Sequence, residues 1–298
     1  MKRRRQIQDL LIHTVLIAIL AMTLLPFVFV INNSFRTNTE MNHSFFGLPE
    51  AAVQLVSGKP SSGPPALQPS DPLKTLTQSY VYAWEVLRPY VLNTLFVCIV
   101  TAFGVVLFGS VTAYVFSRYR FPGSKALFLM VLSFMMIPGV LTLVPSFLWV
   151  KQLGLLNSYW VLILPYIAGG QIFAIFVFKG FFDGLPGELF ESARMDGAGH
   201  FSQYWHLVLP LSKQIIAVVL IVNVLGTWNN FLWPFITNTD SKYHVISSGL
   251  FTMSSSSVAA NYASMYAAYV LASIPMLLLF IYATKPFMSG VTSGAFKA

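Results

Sequence analysis

The sequence predicts an all-α integral membrane protein, a bundle of six transmembrane helices. Three observations predict this class. Of the 298 residues, 56% are hydrophobic and only 9% are charged, against about 25% charged residues in a typical soluble domain. Six segments are apolar over roughly the 20 residues that a helix needs to cross a bilayer. The Lys and Arg residues concentrate between these segments on alternate sides, which indicates membrane orientation rather than nucleic-acid binding as the meaning of the +8 charge.

The first part of the chain is predicted to contain one span and one large loop. A basic N-terminus, residues 1–9, precedes TM1 at residues 10–31, which is long enough to cross the bilayer and lacks the small-residue cleavage site of a signal peptide. The stretch SGKPSSGPPALQPSDP excludes one long helix from residues 32–90, because prolines and glycines interrupt helices. We expect an extracytoplasmic loop there, with short helices near LTQSYVYAWEVLRPY.

The transmembrane core is predicted to fill residues 91–298. Polar or Gly-, Pro- and Ser-rich stretches divide it into five spans, one prominent loop and a tail. Small residues recur in stretches such as TAFGVVLFGSVTAYVFS, which lets helix backbones approach closely in lipid. The elements are TM2 at 91–117, TM3 at 126–150, TM4 at 159–178, a loop at 179–213, TM5 at 214–236, TM6 at 264–284 and a cytoplasmic tail at 285–298.

The distribution of Lys and Arg predicts that both termini are cytoplasmic. With the N-terminus inside and six spans, the inside segments hold twice as many of these residues as the outside segments, as the positive-inside rule requires. This orientation puts the loop 32–90 outside and the loop 179–213 inside. The inside residues are Lys2, Arg3, Arg4, Arg5, Arg118, Arg120, Lys125, Lys179, Arg194, Lys213, Lys285 and Lys297, and the outside residues are Arg36, Lys59, Lys74, Arg88, Lys151 and Lys242.

Ionisable side chains are scarce within the predicted spans, where His13 near one end of TM1 is the exception. Intramembrane charges mark proton relays and ion-coupling sites, so their scarcity argues against a proton- or sodium-driven transporter. Cys98 is the single cysteine, which excludes a disulfide within the chain. The five histidines lack metal-ligand spacing, and no nucleophile with a base partner is recognisable. We therefore expect neither a metal site nor enzymatic activity.

The loop 179–213 carries an unusual density of charges and glycines between two apolar spans. Pro186 suits the start of a short helix, Glu188 complements the helix dipole there, and Gly197 suits the end. A second short helix is expected over 200–209, directly before the next span. From the residues alone two interpretations stay open. The loop is either a solvated connector or a pair of helices that packs on the membrane or on another protein, because such short helices are marginal alone in water.

The spacing within this loop resembles the EAA signature of ABC importer permeases, so we name it the EAA loop. The signature is a Glu-Ala-Ala triplet, a Gly after three more residues, and Ile-x-Leu-Pro after nine more. The chain keeps the spacing, with Ser192 in place of the middle Ala and Leu207 in place of Ile. The matching residues are Glu191, Ser192, Ala193, Gly197, Leu207, Leu209 and Pro210. The stretches YRFPGSKALF, WNNFLWP and SGVTSGAFKA are similar to the maltose-permease-like carbohydrate subfamily, in particular to its six-span subunit with a glycine-rich C-terminal tail.

The resemblance implies a type I ABC importer permease of the bacterial cytoplasmic (inner) membrane, which works by alternating access. It implies a heterodimer with a second, homologous permease, two cytoplasmic ATPase subunits, and an extracytoplasmic solute-binding protein that delivers a sugar or oligosaccharide. ATP and Mg would bind to the ATPase, since this chain lacks the GxxxxGK[ST] motif and is expected to bind no cofactor. The implied coupling residues, with Glu191 as the anchor to the ATPase, are Leu189, Glu191, Ser192, Ala193, Met195, Asp196, Gly197, Leu209 and Pro210.

The stretch GTWNNFLWPF in TM5 combines aromatic and amide side chains that suit sugar hydroxyls, namely Trp228, Asn229, Asn230 and Trp233. Other roles stay open, because tryptophans form interfacial belts and asparagines bond between helices. The tail SGVTSGAFKA either extends towards the ATPase or is a frayed terminus. An ATP-independent channel or facilitator for a small polar solute is the alternative function, and a membrane-embedded enzyme is the third. Neither has a use for an ATPase-docking helix.

Overall fold

The structure, a computed structural model, describes residues 2–58, 69–255 and 261–295, with side chains described between residues 8 and 284 of these ranges. This part of the chain consists of α-helices and short connections and contains no β-strand. Single turns of 3-10 helix lie at Phe134–Met136 and Ser241–Tyr243, and a π-helical turn lies at Tyr204–Val208. The α-helices are α1 (Lys2–Ser34), α2 (Asn38–His43), α3 (Glu50–Ser57), α4 (Pro72–Arg118), α5 (Ser124–Ser133), α6 (Gly139–Gln152), α7 (Trp160–Asp183), α8 (Gly187–Met195), α9 (His200–Gln203), α10 (Leu209–Leu211), α11 (Lys213–Asn229), α12 (Leu232–Thr237), α13 (Ile246–Ser255) and α14 (Tyr262–Ala295).

Four helices in the described residues are long and apolar enough to cross a membrane. Two bent pairs of shorter helices raise the number to six if each pair is one span. One pair joins α5 and its 3-10 turn to α6 at an angle of 100°, and the other joins residues 200–211 to α11 at 76°. The four single helices are Gln8–Ser34, Pro72–Arg118, Trp160–Asp183 and Tyr262–Thr284. The predicted all-α membrane fold is therefore confirmed, with four to six spans.

The segment predicted as TM3, residues 126–150, is broken in the middle. Helix α5 and its 3-10 turn end at Met136, and α6 begins at Gly139. Between them Ile137 and Pro138 have extended backbone angles, with ψ of 117° and 127°. Proline disfavours helical geometry in the residue before it, so the sequence Met-Ile-Pro-Gly ends one helix and starts the next.

The predicted boundaries also differ at three other places. TM5, predicted at 214–236, is divided into α11 and α12. The loop predicted over 32–90 ends earlier, because α4 begins at Pro72 and continues through Pro89. A proline suits the first position of a helix and is tolerated inside membrane helices. Helix α14 continues from TM6 into the predicted tail as far as Ala295, and the remainder of the tail lies outside the described residues.

A buried arginine organises the first compact unit, which comprises residues 1–88 and 250–275. Arg36 is 2% exposed. Its guanidinium donates to Asn33 Oδ1 at 2.9 Å and to backbone carbonyls of three residues in the segment 40–45. Burial lowers the pKa of Arg36 below its usual value, and the carbonyl oxygens replace the water that the cation loses. Part of the predicted extracytoplasmic loop is thus a folded element.

The second compact unit, residues 89–249 and 276–298, contains two hydrophobic clusters. Each one joins side chains of α4 and α7 to those of later segments. The first, named the loop cluster, consists of Val105, Ala113, Tyr114, Ala174, Phe178, Phe182, Phe190, Tyr204, Val208 and Val219. The second, named the Trp233 cluster, consists of Val97, Val150, Val161, Leu162, Ile163, Trp233 and Val245.

Glycines let α4 approach α7 closely in this unit. A Cβ atom built on Gly109 would lie 2.7 Å from the Cβ of Ala174, and one built on Gly104 would lie 2.5 Å from Cδ1 of Ile167. A larger residue at Gly109 would separate the helices, because the Cβ of Ala174 cannot turn away, whereas one at Gly104 would force the Ile167 side chain to move. Small residues are the usual means by which helices in lipid gain packing contacts, as expected for this bundle.

Candidate functional site

A short helix lies where the punctuation of the EAA loop predicts one. Helix α8 begins directly after Pro186, whose ψ of 132° marks the boundary, and carries Glu188 in its first turn. Gly197 follows its end with a left-handed φ of 80°, and the N–H of Ala198 donates to Ala193 O at 2.9 Å. A left-handed glycine with such a bond is a common helix end. The predicted helix and its glycine stop are confirmed.

One face of α8 is fixed in the loop cluster by Arg118, the last residue of α4. Phe190 of α8 is 2% exposed, and the guanidinium carbon of Arg118 lies 3.8 Å from the centre of its ring. The same guanidinium donates through Nη2 to the carbonyl oxygens of Phe182 at 2.5 Å and Leu185 at 3.2 Å. A cation–π contact and charge-assisted hydrogen bonds therefore tie together the ends of α4 and α7 and helix α8.

The opposite face of α8 is open. Met195 is 89% exposed. Glu191 is exposed and forms no ion pair with any residue that the structure describes. Of the implied coupling residues, Leu189, Glu191, Ser192, Met195, Asp196, Gly197 and Pro210 are exposed, while Ala193 and Leu209 are half-buried. The helix thus presents a charged and an apolar side chain outward from a fixed base.

The second half of the EAA loop is attached to α4 by a buried polar contact. The hydroxyl groups of Tyr204 and Ser110 lie 2.8 Å apart. The helix predicted over 200–209 is present as a continuous helical segment, residues 200–211, in which a π-helical turn lies between α9 and α10. Pro210 has no N–H to donate to the carbonyl of His206, and the chain widens into the π-helical turn directly before it.

Two more apolar side chains of the EAA loop are uncovered. Phe201 is 78% exposed and Trp205 is 53% exposed. Their rings are stacked, with centroids 6.4 Å apart. Aromatic side chains are enriched at protein–protein contacts, where they dominate the energetics. Together with Met195 they are the three most exposed of the large apolar residues of the EAA loop, and we name these three the outer apolar residues.

The four residues predicted for a substrate path occupy different environments. Trp228 and Trp233 are buried, and the indole N–H of Trp233 donates to Val161 O at 2.9 Å. Asn229 is exposed, and its amide donates at 2.9 Å to a carbonyl one turn earlier in its own helix. Of the four, Asn230 alone lines a cavity among the described residues. Trp233 packs in the cluster named after it.

That cavity has a volume of about 300 Å³ and lies between α7 and α11. Its polar lining comes from Tyr166 on α7, from Asn223 and Thr227 on α11, and from Asn230 after the end of α11. Among the described residues, no group of three or more His, Cys, Asp or Glu side chains is placed to hold a metal ion. The polar groups of this cavity are therefore uncharged amides and hydroxyls.

Comparison with known proteins identifies the family. Residues 105–288 match the family described as binding-protein-dependent transport system inner membrane component. The chain belongs to this family. It is 30% identical over 288 residues to the diacetylchitobiose uptake system permease protein NgcG of Streptomyces coelicolor, covering 96% of this chain and 88% of that protein. It is 35% identical over 205 residues to the galactooligosaccharides transport system permease protein GanQ of Bacillus subtilis, covering 69% and 72%.

The fold of this inner membrane component also occurs in a solved transporter. A bacterial ABC transporter involved in the import of the acidic polysaccharide alginate contains a chain that superimposes with a TM-score of 0.76 at 19% identity, covering 95% of this chain and 97% of that one. This likeness concerns the fold alone. Family membership makes the chain a multi-pass permease of the inner membrane and a component of a binding-protein-dependent ABC transporter.

Two parts of the permease site are not predicted by the sequence. Arg118 counted only as one of the charges that set orientation, since nothing in the sequence shows that it contacts Phe190 far along the chain. Asn223 and Tyr166 lie in segments that the sequence predicts as apolar spans. A polar side chain within a span is itself a signal of packing or function. The pairing of α7 with α11 that brings these two residues to one cavity is a tertiary feature.

Proposed function

We propose that this permease is the membrane-spanning subunit of an ATP-driven importer for a sugar or oligosaccharide. The proposed assembly contains a second, homologous permease that forms a heterodimer with it, two cytoplasmic ATPase subunits that bind ATP and Mg, and an extracytoplasmic solute-binding protein. The relatives named for diacetylchitobiose and galactooligosaccharides support a carbohydrate cargo. The distribution of Lys and Arg supports an orientation with both termini and the EAA loop in the cytoplasm.

The observation that carries the coupling part of the proposal is the two-sided character of α8. Its inner face is fixed by Phe190 and Arg118 to the ends of α4 and α7. Its outer face leaves Glu191 and Met195 exposed. A helix held in this way moves with whatever binds its outer face, and it moves α4 and α7 along with it. Closure of the ATPase subunits would thereby switch the bundle between its inward- and outward-facing states.

The outer face suits a protein cleft with a basic residue. Glu191 has no intramolecular ion pair among the described residues, so its carboxylate is free to accept charge-assisted hydrogen bonds, which fix register as well as affinity. Met195 is a flexible, polarisable side chain that adapts to the shape of an apolar cleft. Phe201 and Trp205 extend the apolar contact.

Charge reversal at Glu191 tests the proposal in the complete transporter, reconstituted in liposomes with its ATPase, partner permease and binding protein. We expect Glu191→Lys to reduce ATP-dependent uptake by about thirtyfold or more, because reversing one partner of a buried charge pair leaves two like charges in contact. ATP hydrolysis should also stop responding to the loaded binding protein. Uptake is measured with diacetylchitobiose and a galactooligosaccharide, and the amount of permease in the membrane is measured alongside.

Glu85→Lys is the control, since Glu85 is an exposed carboxylate on α4 that lies outside the EAA loop. Uptake by this variant should stay within about twofold of the parent, as is usual for surface charges. A passive facilitator would behave differently. Uptake that continues without ATP, and that Glu191→Lys leaves intact, would support the facilitator and refute the coupling role of the EAA loop.

A further inference from the structure

The cavity between α7 and α11 contains polar atoms that the protein itself leaves unsatisfied. Asn223 Oδ1 and Tyr166 Oη are buried, and neither has a hydrogen-bond partner among the described residues. Both side chains belong to the lining of the cavity. An unpaired polar atom is costly in an apolar environment and more so within a membrane, where water does not replace the missing partner. Both atoms are covered by neighbouring protein atoms, so a molecule in the cavity would reach them once the two side chains turn towards it.

The shape of the cavity depends on glycines of the same two helices. Gly169 on α7 and Gly226 on α11 line it, and a Cβ atom built on either one would meet no other described atom within 4 Å. These two glycines therefore face open space. Gly170 has a different role, because a Cβ there would lie 3.1 Å from Asn223 Nδ2. Its lack of a side chain lets the Asn223 amide lie against α7.

The chemistry of the lining selects a class of ligand. The residues around the cavity include no Asp, Glu, Lys, Arg or His, so a carboxylate or phosphate would enter without a counter-charge, at a large desolvation cost. Amide and hydroxyl groups, in contrast, exchange hydrogen bonds with sugar hydroxyls, and the rings of Tyr166 and Phe173 supply apolar surface. Apolar walls with a few placed polar groups are typical of small-molecule sites, and about 300 Å³ is at the lower end of their range.

We infer that this permease contributes a subsite of its own to the translocation path, in which Asn223 and Tyr166 bind an uncharged, hydroxyl-bearing part of the cargo. The inference rests on the proposed import of carbohydrate and adds where this chain contacts the cargo and which chemical class it admits. The size of the cavity fits part of an oligosaccharide rather than the whole of it. The remaining contacts would belong to the facing permease.

Two substitutions test the subsite by uptake in the complete transporter. Gly169→Leu fills the cavity, and Asn223→Leu removes its amide while keeping its approximate volume. We expect uptake of diacetylchitobiose or the galactooligosaccharide to fall by about tenfold or more in each, as when a hydrogen bond or an accessible volume is lost from a binding site. Gly139→Leu is the control for Gly169→Leu, because a Cβ at Gly139 also meets no described atom within 4 Å and Gly139 does not line the cavity.

A second measurement does not depend on how well these variants transport. The single native cysteine, Cys98, is replaced by alanine, and the partners are made free of cysteine. A cysteine is then introduced in place of Gly226, or of Gly139 as the control. The transported sugar should slow the reaction of the cavity thiol with a small methanethiosulfonate reagent by about tenfold, comparable to the expected loss of uptake. It should not change the control thiol, and an acidic alginate oligosaccharide should protect neither.

The possible outcomes separate this inference from the proposed function. If the parent transporter imports the sugar but both cavity variants do so equally well, and the sugar leaves the cavity thiol unprotected, the subsite is refuted and carbohydrate import stands. A cavity thiol that never reacts in the assembled transporter would show that a neighbouring helix fills the space, which also refutes the subsite. If the parent transporter imports none of the uncharged sugars, the proposed function fails and the subsite fails with it.

Discussion

The two hydrophobic clusters of the second compact unit are similar in composition but are completed by different polar groups. In the loop cluster, the guanidinium of Arg118 covers Phe190 and binds two carbonyls. In the Trp233 cluster, uncharged N–H donors do the equivalent work. The indole of Trp233 donates to Val161 O, and the amide of Asn93, next to the cluster on α4, donates to Lys242 O at 2.8 Å and to His244 O at 2.9 Å.

The clusters also differ in what they leave unpaired. Near the Trp233 cluster, Asn157 adopts a left-handed φ of 56°, which asparagine tolerates better than most residues. Its side chain accepts from the N–H groups of Thr239 at 2.7 Å and Asp240 at 3.0 Å. The segment that contains the loop cluster instead leaves Glu191 and the outer apolar residues uncovered. We take this difference as the mark of one end whose connecting segments are bonded to each other within the chain and another end that is built for a partner.

The strongest test of this comparison is the loss of Arg118. Arg118→Leu removes the cation–π contact with Phe190 and two hydrogen bonds, so α8 should no longer move together with α4 and α7. We expect uptake to fall by more than about tenfold while the permease still assembles, since a charged hydrogen bond contributes about 1.5–3 kcal/mol. Uptake, permease content of the membrane and stimulation of ATP hydrolysis are measured together in proteoliposomes.

Two further variants show whether the position or merely the charge of Arg118 matters. Arg118→Lys keeps the charge but loses the planar fork that reaches two carbonyls, so an intermediate loss is expected. Arg120→Leu removes an exposed cation two residues away and should change uptake by less than about twofold. Equal effects of Arg118→Leu and Arg120→Leu would mean that the loop cluster needs only local positive charge, and the anchoring role would be wrong.

The second test concerns the other cluster. Trp233→Phe keeps an aromatic ring but removes the hydrogen bond to Val161, so the free energy of unfolding should fall by about 1 kcal/mol. Uptake should remain within about twofold of the parent, because Trp233 is buried and bonded within its own cluster. Thermal unfolding in detergent and the concentration dependence of sugar uptake are the two measurements. Trp160→Phe, at a 55% exposed position, is the matched control.

This test also decides between two interpretations of the aromatic stretch in TM5. A large increase in the KM for the sugar, with stability unchanged, would restore Trp233 to the substrate path that the sequence suggests. The predicted outcome, a loss of stability with normal uptake, would keep the tryptophan as a packing residue.

Local features of this chain could be predicted from sequence, and features that depend on distant contacts could not. Helix α8 and its stop at Gly197 follow from the punctuation by Pro186 and Gly197, which acts over a few residues. The break at Pro138 was present in the sequence but was outweighed by the apolar length of the segment. Length and composition indicate that a segment is long enough to span a membrane, but they do not show that it is straight.

The candidate site, like the fold, could be predicted from the sequence only in its local features. The EAA spacing predicts a docking helix, yet it does not reveal that Arg118 fixes its inner face, because the two are separated by about 70 residues and by helix α7. The cavity depends on which faces of α7 and α11 meet. Asn223 and Tyr166 gave no periodic signal within their apolar segments, and the missing hydrogen-bond partners that distinguish them exist only in the folded chain.

The smallest expected effect is a dependence of stability on pH that arises beside the Trp233 cluster. Burial lowers the pKa of His244, and the opposing influences of a backbone hydrogen bond at Asn238 and of the Asp240 charge are smaller. Between this lowered pKa and the ordinary value of about 6.5, the unfolded chain binds the additional proton and the folded chain does not. Stability is therefore fully present above about pH 6.5 and falls as the pH decreases through that interval.

Thermal unfolding in detergent at about pH 7.5 and about pH 5.5 measures this effect on either side of the ordinary value for histidine. The parent should lose stability at the lower pH, and His244→Gln should reduce that loss because glutamine does not titrate. His43→Gln, at an exposed position, should leave the loss unchanged. If His244→Gln does not reduce the loss, protonation of another group causes it. The end with the Trp233 cluster, whose connecting segments are bonded to each other, would then tolerate a buried charge. That outcome would contradict the comparison between the two clusters.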